Sequence, residues 1–323
     1  MLNPVPLIGL FLIIVLPVSA APAQSVWFAP HAGRQGSPDF MALFQPEAPW
    51  SKAASAIQAF EISDELTYDG SVSGPQLQQM FSNLSERRID LVVGIGPLPS
   101  QGGPGACGYN VEGYGVPNGL LRDTRRIESL GGNVRFYTMD EPVYFGYVFD
   151  REGSRVGCHL SIEEVAKQVA GTLKLVRTVF PSVQFGDVEP LMGFNKETWL
   201  NDLATWFDAY EAATGGKLAF FRLDIGWDLA WQARIPPLAD LLRQKGIPLQ
   251  VIYNGDDNAK SDETWIASAV EHFQEFEAIM GSAPDAALIQ YWQAHPSRAL
   301  PETDPRTGTW LINRYLEWRQ SHR

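Results

Sequence analysis

The chain alternates between short extended segments and longer stretches of helical pattern from about residue 26 onwards. Eight extended segments can be identified, and an amphipathic helical pattern follows most of them. Strands that alternate with helices are joined by crossover connections, so they lie parallel in one sheet. The predicted strands are residues 26–31, 57–63, 89–95, 132–142, 183–189, 218–224, 248–254 and 286–292.

Eight strand–helix units in 323 residues predict an α/β protein with a single (β/α)8 barrel, also called a TIM barrel. A doubly wound open sheet is the alternative, but the Gly-x-Gly-x-x-Gly dinucleotide fingerprint is missing after the first strand. Gly94 and Gly96 have no helix start close behind them, so they are interpreted as close-packing residues. Within the helical pattern 228–245, Pro236-Pro237 predicts a bend or a break.

Residues 1–25 resemble an export signal, and the barrel is expected to occupy residues 26–323. A continuous apolar run, 7–18, precedes two small-x-small motifs, although no Lys or Arg comes before it. The run is short for a membrane span, so cleavage is favoured over an uncleaved anchor. We therefore expect a secreted or periplasmic protein with no membrane contact after cleavage.

The net charge of −12 argues against nucleic acid or an anionic membrane as a partner. It leaves neutral substrates such as sugars open, and we expect a carbohydrate partner and a monomer. The five histidines are scattered and no His-Glu-x-x-His motif occurs, so we expect no metal site and no cofactor. No Gly-x-Ser-x-Gly elbow or Walker motif is present either.

Polar side chains are expected on the inner face of the barrel, because the outer face of each strand packs against helices. Alternation sends Glu61 inward from the second strand and Arg222 and Asp224 inward from the sixth. On the fifth strand the inner face is ambiguous, since Phe185 outward would also turn Glu189 outward. The remaining inward predictions are Arg135, Tyr137 and Glu141 on the fourth strand, Gln250 and Asn254 on the seventh, Gln290 and Trp292 on the eighth, and His31 at the end of the first.

The result is a predicted ring of carboxylates at the carboxyl ends of the strands, where parallel α/β proteins place their chemistry. Burying several charges together is costly unless they pair or serve a ligand. Arg135 and Arg222 could neutralise two of them, which would make Glu61 and Asp224 part of an internal ion-pair layer. Glu141, as the outermost inward residue of its strand, is the strongest functional candidate.

At these residues the chain resembles the retaining glycoside hydrolases built on (β/α)8 barrels, the large clan that includes cellulases and β-galactosidases. In that clan the acid/base glutamate ends the fourth strand in an Asn-Glu-Pro-like motif, and Asp140-Glu141-Pro142 matches it here. A tryptophan at the end of the eighth strand lies under the sugar, and Trp292 matches. Two positions depart from the clan: Asp140 replaces the asparagine, and the seventh strand ends in Asn254 where the clan has its nucleophilic glutamate.

The resemblance implies hydrolysis of O-glycosidic bonds in a neutral oligo- or polysaccharide, with Glu141 as the general acid. The missing glutamate puts the retaining mechanism in doubt, and a catalytically silent sugar-binding barrel is the alternative. The second carboxylate is left open among Asp224, Glu189 and Asp256. The expected substrate contacts are His31, Glu61, Asp140, Asn254, Asp256, Trp292 and Tyr144.

The long loops after the third and fourth strands are expected to be tied together at the mouth of the barrel. They carry the two cysteines of the chain, Cys107 and Cys158, and an even pair in an exported protein favours a disulfide. These loops are also rich in aromatic residues, which are expected either to line the substrate cleft or to form a small satellite core. The aromatic residues are Tyr109, Tyr114, Tyr144, Phe145 and Tyr147.

Overall fold

A computed structural model describes residues 25–33, 36–100, 102–116 and 118–322. Its centre is a closed barrel of eight parallel strands, in which each strand pairs with the next along the chain and the last pairs with the first. This confirms the predicted single (β/α)8 barrel. The strands are β1 Ser25–Ala29, β2 Ala59–Ser63, β3 Asp90–Ile95, β4 Val134–Asp140, β5 Gln184–Pro190, β6 Phe221–Asp224, β7 Leu249–Tyr253 and β8 Ala286–Gln290.

Several of the helices that cover the barrel begin at side-chain caps. Ser161 accepts a hydrogen bond from the Glu164 amide, and Ser261 forms a capping box with Thr264. The helices are α1 Ser51–Ala56, α2 Gly74–Arg87, α3 Gly119–Ser129, α4 Ile162–Arg177, α5 Trp199–Thr214, α6 Ile235–Lys245, α7 Asp262–Met280 and α8 Gly308–Ser321.

The predicted break at Pro236-Pro237 is wrong. A short 3₁₀ turn, Gln232–Arg234, precedes α6, and the prolines lie in the first turn of that helix. A proline is tolerated there because its missing N–H would have no intrahelical partner anyway. The prolines therefore start the helix instead of interrupting it.

The interior of the barrel is apolar towards the amino ends of the strands and polar towards their carboxyl ends. Trp27 packs against Phe136 and Phe220, with ring centroids 5.2 and 5.0 Å apart. Gly186 leaves the space that the Phe220 ring fills, since a Cβ at Gly186 would lie 2.0 Å from that ring. The other buried interior residues are Ala29, Ala59, Val92, Val188, Ile252 and Leu288.

The predicted faces are correct for β2, β6, β7 and β8, but the prediction for β4 is wrong. Phe136 points into the barrel, whereas Tyr137 points outward and donates a hydrogen bond from its hydroxyl to Thr124 of α3 at 3.1 Å. Arg135 is exposed. Both faces of a parallel barrel strand are buried and largely apolar, so polarity alone does not distinguish them. The consequence for the site is that Asp140, two residues beyond Thr138 on the Phe136 face, points inward.

The predicted disulfide joins the loops after β3 and β4. The Cα atoms of Cys107 and Cys158 lie 4.9 Å apart and the two residues are bonded. Within the described ranges, no helix has the length and apolar character needed to cross a membrane. The predicted export signal lies outside those ranges except for Ser25, which opens β1.

Candidate active site at the carboxyl end of the barrel

The floor of the site is a buried ion pair that crosses the barrel. The Arg222 guanidinium of β6 donates to both carboxylate oxygens of Glu61 on β2, at 2.9 and 2.6 Å. Its Nε–H donates to Gln250, and its underside lies over the Trp27 ring at 5.6 Å. Because both Glu61 oxygens accept hydrogen bonds from Arg222, Glu61 serves as a partner for Arg222 in place of the substrate contact expected.

Asp140 and Asp224 stand above this floor, at the ends of β4 and β6. Burial raises the pKa of Asp140 to about 8, with further contributions from Glu112, Asp224 and Glu61. Burial, together with Asp257 and Glu112, raises the pKa of Asp224 to about 7. Arg222 opposes both shifts. The two carboxyl groups therefore share a poorly solvated space with too little positive charge to keep both ionised at neutral pH.

Glu141 directly follows β4 and has a backbone conformation that is uncommon for a residue with a side chain. Its φ is 47°, in the left-handed region, and its amide donates to the carbonyl of Val188 at 3.0 Å. The side chain is 9% exposed. Burial, followed by Asp140, Asp224 and Glu189, raises the pKa of Glu141 to about 11. The left-handed conformation breaks the strand alternation at Glu141. The raised pKa keeps the Glu141 carboxyl group protonated at neutral pH, and the charges of Asp140 and Asp224 contribute to that rise.

Glu189 does not lie on the inner face of the barrel. Val188 occupies that face, so Asp187 and Glu189 both point outward from β5. Glu189 accepts hydrogen bonds from the amides of Val143 at 2.6 Å and Tyr144 at 3.0 Å. Glu189 thus holds the backbone that follows Glu141, which is a positioning role in place of the catalytic one expected.

Asn254 is held by a neighbouring tryptophan at the end of β7. Its side-chain oxygen accepts a hydrogen bond from the Trp227 indole at 2.6 Å, and the residue is 3% exposed. Trp227 in turn stacks on His272, with centroids 4.4 Å apart. Asp256 turns towards the same His272, at 3.3 Å from Nε2, and is not among the carboxylates that raise the pKa of Asp140, Glu141 or Asp224.

Two further carboxylates that the sequence analysis did not select, Asp257 and Glu112, act on the carboxyl groups of the mouth. Asp257 is the leading charge acting on Asp224, and its Oδ1 accepts a hydrogen bond from Gln293 at 2.5 Å. Glu112, in the loop after β3, acts on Asp140, Glu141 and Asp224. The sequence pointed to the adjacent Asp256, but the residue whose charge acts on Asp224 is Asp257. No pattern in the sequence identifies Glu112, because the folding of a long loop brings it to the site.

The remaining predicted contacts lie around the rim. Trp292, past the end of β8, is 40% exposed, which is unusual for a tryptophan in this chain. His31 is partly buried, and its Nδ1 lies 3.2 Å from the carbonyl oxygen of Gln293. Trp292 therefore offers an accessible flat face beside the acidic mouth.

The aromatic residues of the long loops form mainly a satellite core. Phe145 and Phe149 pack together with Val111, and Tyr114 and Tyr144 cover them. Tyr147 contacts Lys196, whose Nζ lies 4.8 Å from the ring centroid. Tyr144 is partly buried, and burial, followed by the charges of Glu141 and Glu152, raises the pKa of its hydroxyl.

In the part of the chain that the structure describes, no group of three or more His, Cys, Asp or Glu side chains is arranged to hold a metal ion.

No family model matches the chain, and no curated protein matches it. Solved structures do. A fungal β-1,4-galactanase superimposes with a TM-score of 0.54 at 9% identity, covering 90% of this chain and all of the other. A GH10 endoxylanase from a sugarcane soil metagenome gives 0.48 at 10% identity, covering 88% and 89% of the two chains. N-acetylneuraminate lyase from Aliivibrio salmonicida gives 0.42 at 12% identity, covering 92% and 76%. The resemblance to glycoside hydrolase barrels is confirmed for the fold, and enzymes of other classes share that fold.

Proposed function

We propose that this protein hydrolyses O-glycosidic bonds of a neutral oligo- or polysaccharide, with Glu141 as general acid and Asp224 as the second carboxylate. The observation that carries the proposal is the difference between these two groups at the mouth. The pKa of Glu141 is raised to about 11 and that of Asp224 only to about 7. Environments that push two carboxyl pKa values apart assign one group as acid and the other as base.

Asp224 is favoured over the other candidates because of where each side chain points. Glu189 is occupied by two backbone amides, and Asp256 lies beside His272. Asn254 is an amide held by Trp227, so it does not replace the nucleophile of the clan. Asp224 points inward at the end of β6 with part of its surface accessible.

We propose inversion at the anomeric carbon, because Asn254 occupies the position of the clan nucleophile and an amide cannot form the covalent intermediate that retention requires. Inverting enzymes separate their carboxyl groups by about 6.5–9.5 Å and retaining enzymes by about 5–5.5 Å. A water molecule fits between the groups in the first case.

In the proposed reaction, a sugar ring rests on Trp292 with its glycosidic oxygen facing Glu141. Glu141 gives its proton to that oxygen as the bond to the anomeric carbon breaks. Asp224 takes a proton from the water that attacks the opposite face of the same carbon. The products are an alcohol and a hemiacetal of inverted configuration, and the two carboxyl groups then exchange protons with solvent. The proposal includes the expected secretion and the monomeric state.

The proposal is tested with Glu141→Gln, which keeps the shape of the side chain and removes the acidic proton. We expect hydrolysis of an accepted glycan to fall by about 10²–10⁴-fold. Glu128→Gln on the exposed face of α3 is the matched control and is expected to keep the wild-type rate. Full activity in folded Glu141→Gln would refute the assignment, and NMR of the first product anomer separates inversion from retention.

A sugar-binding barrel without turnover is the second candidate, favoured by Asn254 at the position of the clan nucleophile. Titration against a panel of neutral glycans, with reducing ends measured in parallel, separates the two functions. Binding through Trp292 without release of reducing ends supports the binder, and release of reducing ends excludes it. A protein that neither binds nor cleaves any of these glycans would contradict both.

A further inference from the structure

A second pocket lies at the opposite end of the barrel from the acidic mouth. It has a volume of about 270 Å³ and opens between the amino ends of the strands. Its lining includes the aromatic residues Trp27, Phe136 and Phe220, together with Ala219 and the fully buried Gln250. We call this cavity the pole pocket. Its size is close to the lower end of the range for small-molecule sites, and it accommodates a single substituted ring.

Gln250 brings one unpaired polar group to the pole pocket. The residue is fully buried, at 0% exposure, and its side-chain oxygen accepts a hydrogen bond from Arg222. Its Nε2 finds no hydrogen-bond partner among the residues that the structure describes. A buried amide donor is nearly always satisfied in a folded protein, so an unpaired one in a pocket wall indicates a position for a ligand acceptor.

Most of the other polar groups around the pole pocket are hydrogen-bonded within the protein, and the exposed carboxylate of Asp90 also borders the pocket. The Trp27 indole donates to the Ser25 hydroxyl at 2.8 Å. Gln58 accepts from the Val26 amide at 2.5 Å, and Asp285 accepts from the Leu249 amide at 2.8 Å. The pole pocket thus presents three aromatic walls, one unpaired donor at Gln250 and the exposed carboxylate of Asp90, which disfavours an anionic ligand.

We propose that the pole pocket binds a small, flat, uncharged ring compound that carries one hydrogen-bond acceptor. The ring contacts Trp27, Phe136 and Phe220, and its acceptor accepts a hydrogen bond from the Nε2–H of Gln250. The site is separate from Glu141 and Asp224, so its occupancy does not depend on the proposed hydrolysis.

The test compares acetophenone with α-methylstyrene, which has the same shape but a methylene group in place of the carbonyl oxygen. Binding of each is measured by ligand-observed NMR and competition. We expect wild-type protein to bind acetophenone about tenfold more tightly, the equivalent of one well-formed hydrogen bond to a buried donor. Equal affinity for the two compounds, or binding of neither, would overturn the proposal.

Two variants locate the binding. Gln250→Glu keeps an acceptor for Arg222 but removes the donor, and we expect it to abolish the preference for acetophenone. Ala219→Met fills the pole pocket and is expected to weaken binding of both compounds at least about tenfold, whether or not Gln250→Glu folds. Trp292→Ala, at the mouth, is the control for stacking elsewhere and should leave both affinities unchanged. Binding that survives Ala219→Met but is lost in Trp292→Ala would place the compounds at the mouth and refute the pole pocket.

Discussion

At the scale of single residues, the mouth is organised by which charges each carboxyl group faces. Asp140 continues the inner face of β4, whereas Glu141 adopts a left-handed conformation with φ of 47°. Arg222 opposes the rise in pKa at Asp140 and Asp224 but does not appear among the leading influences on Glu141. Adjacent or nearby carboxyl groups thus hold protons over different pH ranges, which is what an acid–base pair requires.

The pH dependence of hydrolysis follows from these residues. Turnover needs Asp224 ionised and Glu141 protonated, so kcat/KM is expected to rise as pH increases through about 7, the pKa of Asp224. It then stays high until Glu141 loses its proton near pH 11. Initial rates between pH 5 and 10 measure this, and an acid-side optimum near pH 4.5 with loss of activity above pH 7 would contradict it.

The free energy of unfolding is expected to fall as pH rises through about 7, whereas kcat/KM rises over the same range. The folded-state pKa of Asp224 is raised from 3.8 to about 7, so the folded state binds this proton more tightly than the unfolded state does. The resulting stabilisation is present below pH 3.8 and is lost as pH rises through about 7. The melting temperature of Asp224→Asn should therefore fall less between pH 4 and pH 8 than the melting temperature of the wild type.

Glu141 could be predicted from the sequence because a carboxyl group before Pro142 at the end of a strand is a local signal. Its neighbours could not be predicted in the same way. Glu112 is brought to the mouth by a long loop. The Glu189 carboxylate is occupied by hydrogen bonds from the amides of Val143 and Tyr144. These are contacts between distant parts of the chain, which single-strand alternation does not encode.

At the scale of elements, the loops after β3 and β4 form one structural unit beside the mouth. The disulfide between Cys107 and Cys158 closes a separation of 51 residues that includes α3 and β4. Phe145, Phe149 and Val111 pack between the same two loops. The loop that carries Glu112 is therefore anchored to the one that follows Glu141.

Removal of this disulfide is expected to destabilise the protein. In Cys107→Ser/Cys158→Ser the unfolded chain regains the freedom that the bond removed, and the free energy of unfolding should fall by about 2–4 kcal/mol. Urea denaturation of the two proteins measures the difference. Dithiothreitol should lower the melting temperature of the wild type and leave that of the double variant unchanged. Equal melting temperatures of oxidised and reduced wild type would contradict the prediction.

At the scale of the whole molecule, the Arg222–Glu61 pair connects opposite sides of the barrel. Arg222 is 1% exposed and Glu61 is 7% exposed. The pair separates the apolar half of the interior, with Trp27, Phe136 and Phe220, from the acidic mouth. It is the ion-pair layer that the sequence allowed for Glu61, although Arg135 does not take part.

Breaking the pair from one side is expected to be costly. Arg222→Met leaves the Glu61 carboxylate buried without its partner, and we expect a loss of about 3–5 kcal/mol in the free energy of unfolding. Adding Glu61→Met should recover most of that loss, because an apolar pair then fills the space. Arg125→Met on the exposed surface of α3 is the control. Denaturant unfolding measures the stability of all three variants. An Arg222→Met protein as stable as the wild type would show that the Arg222–Glu61 pair does not stabilise the barrel.

The sequence by itself determined the number and order of the strands, the disulfide partners and the placement of Glu141 at a strand end. These features depend on local periodicity and on the order of the elements along the chain, which neighbouring residues encode. Only the tertiary structure decided that Asp140 faces inward, that Glu61 belongs to Arg222, that Glu189 holds backbone, and that Glu112 and Asp257 join the mouth. The physical reason is that both faces of each barrel strand are buried, so packing across the barrel and the paths of the loops select each side chain's partner.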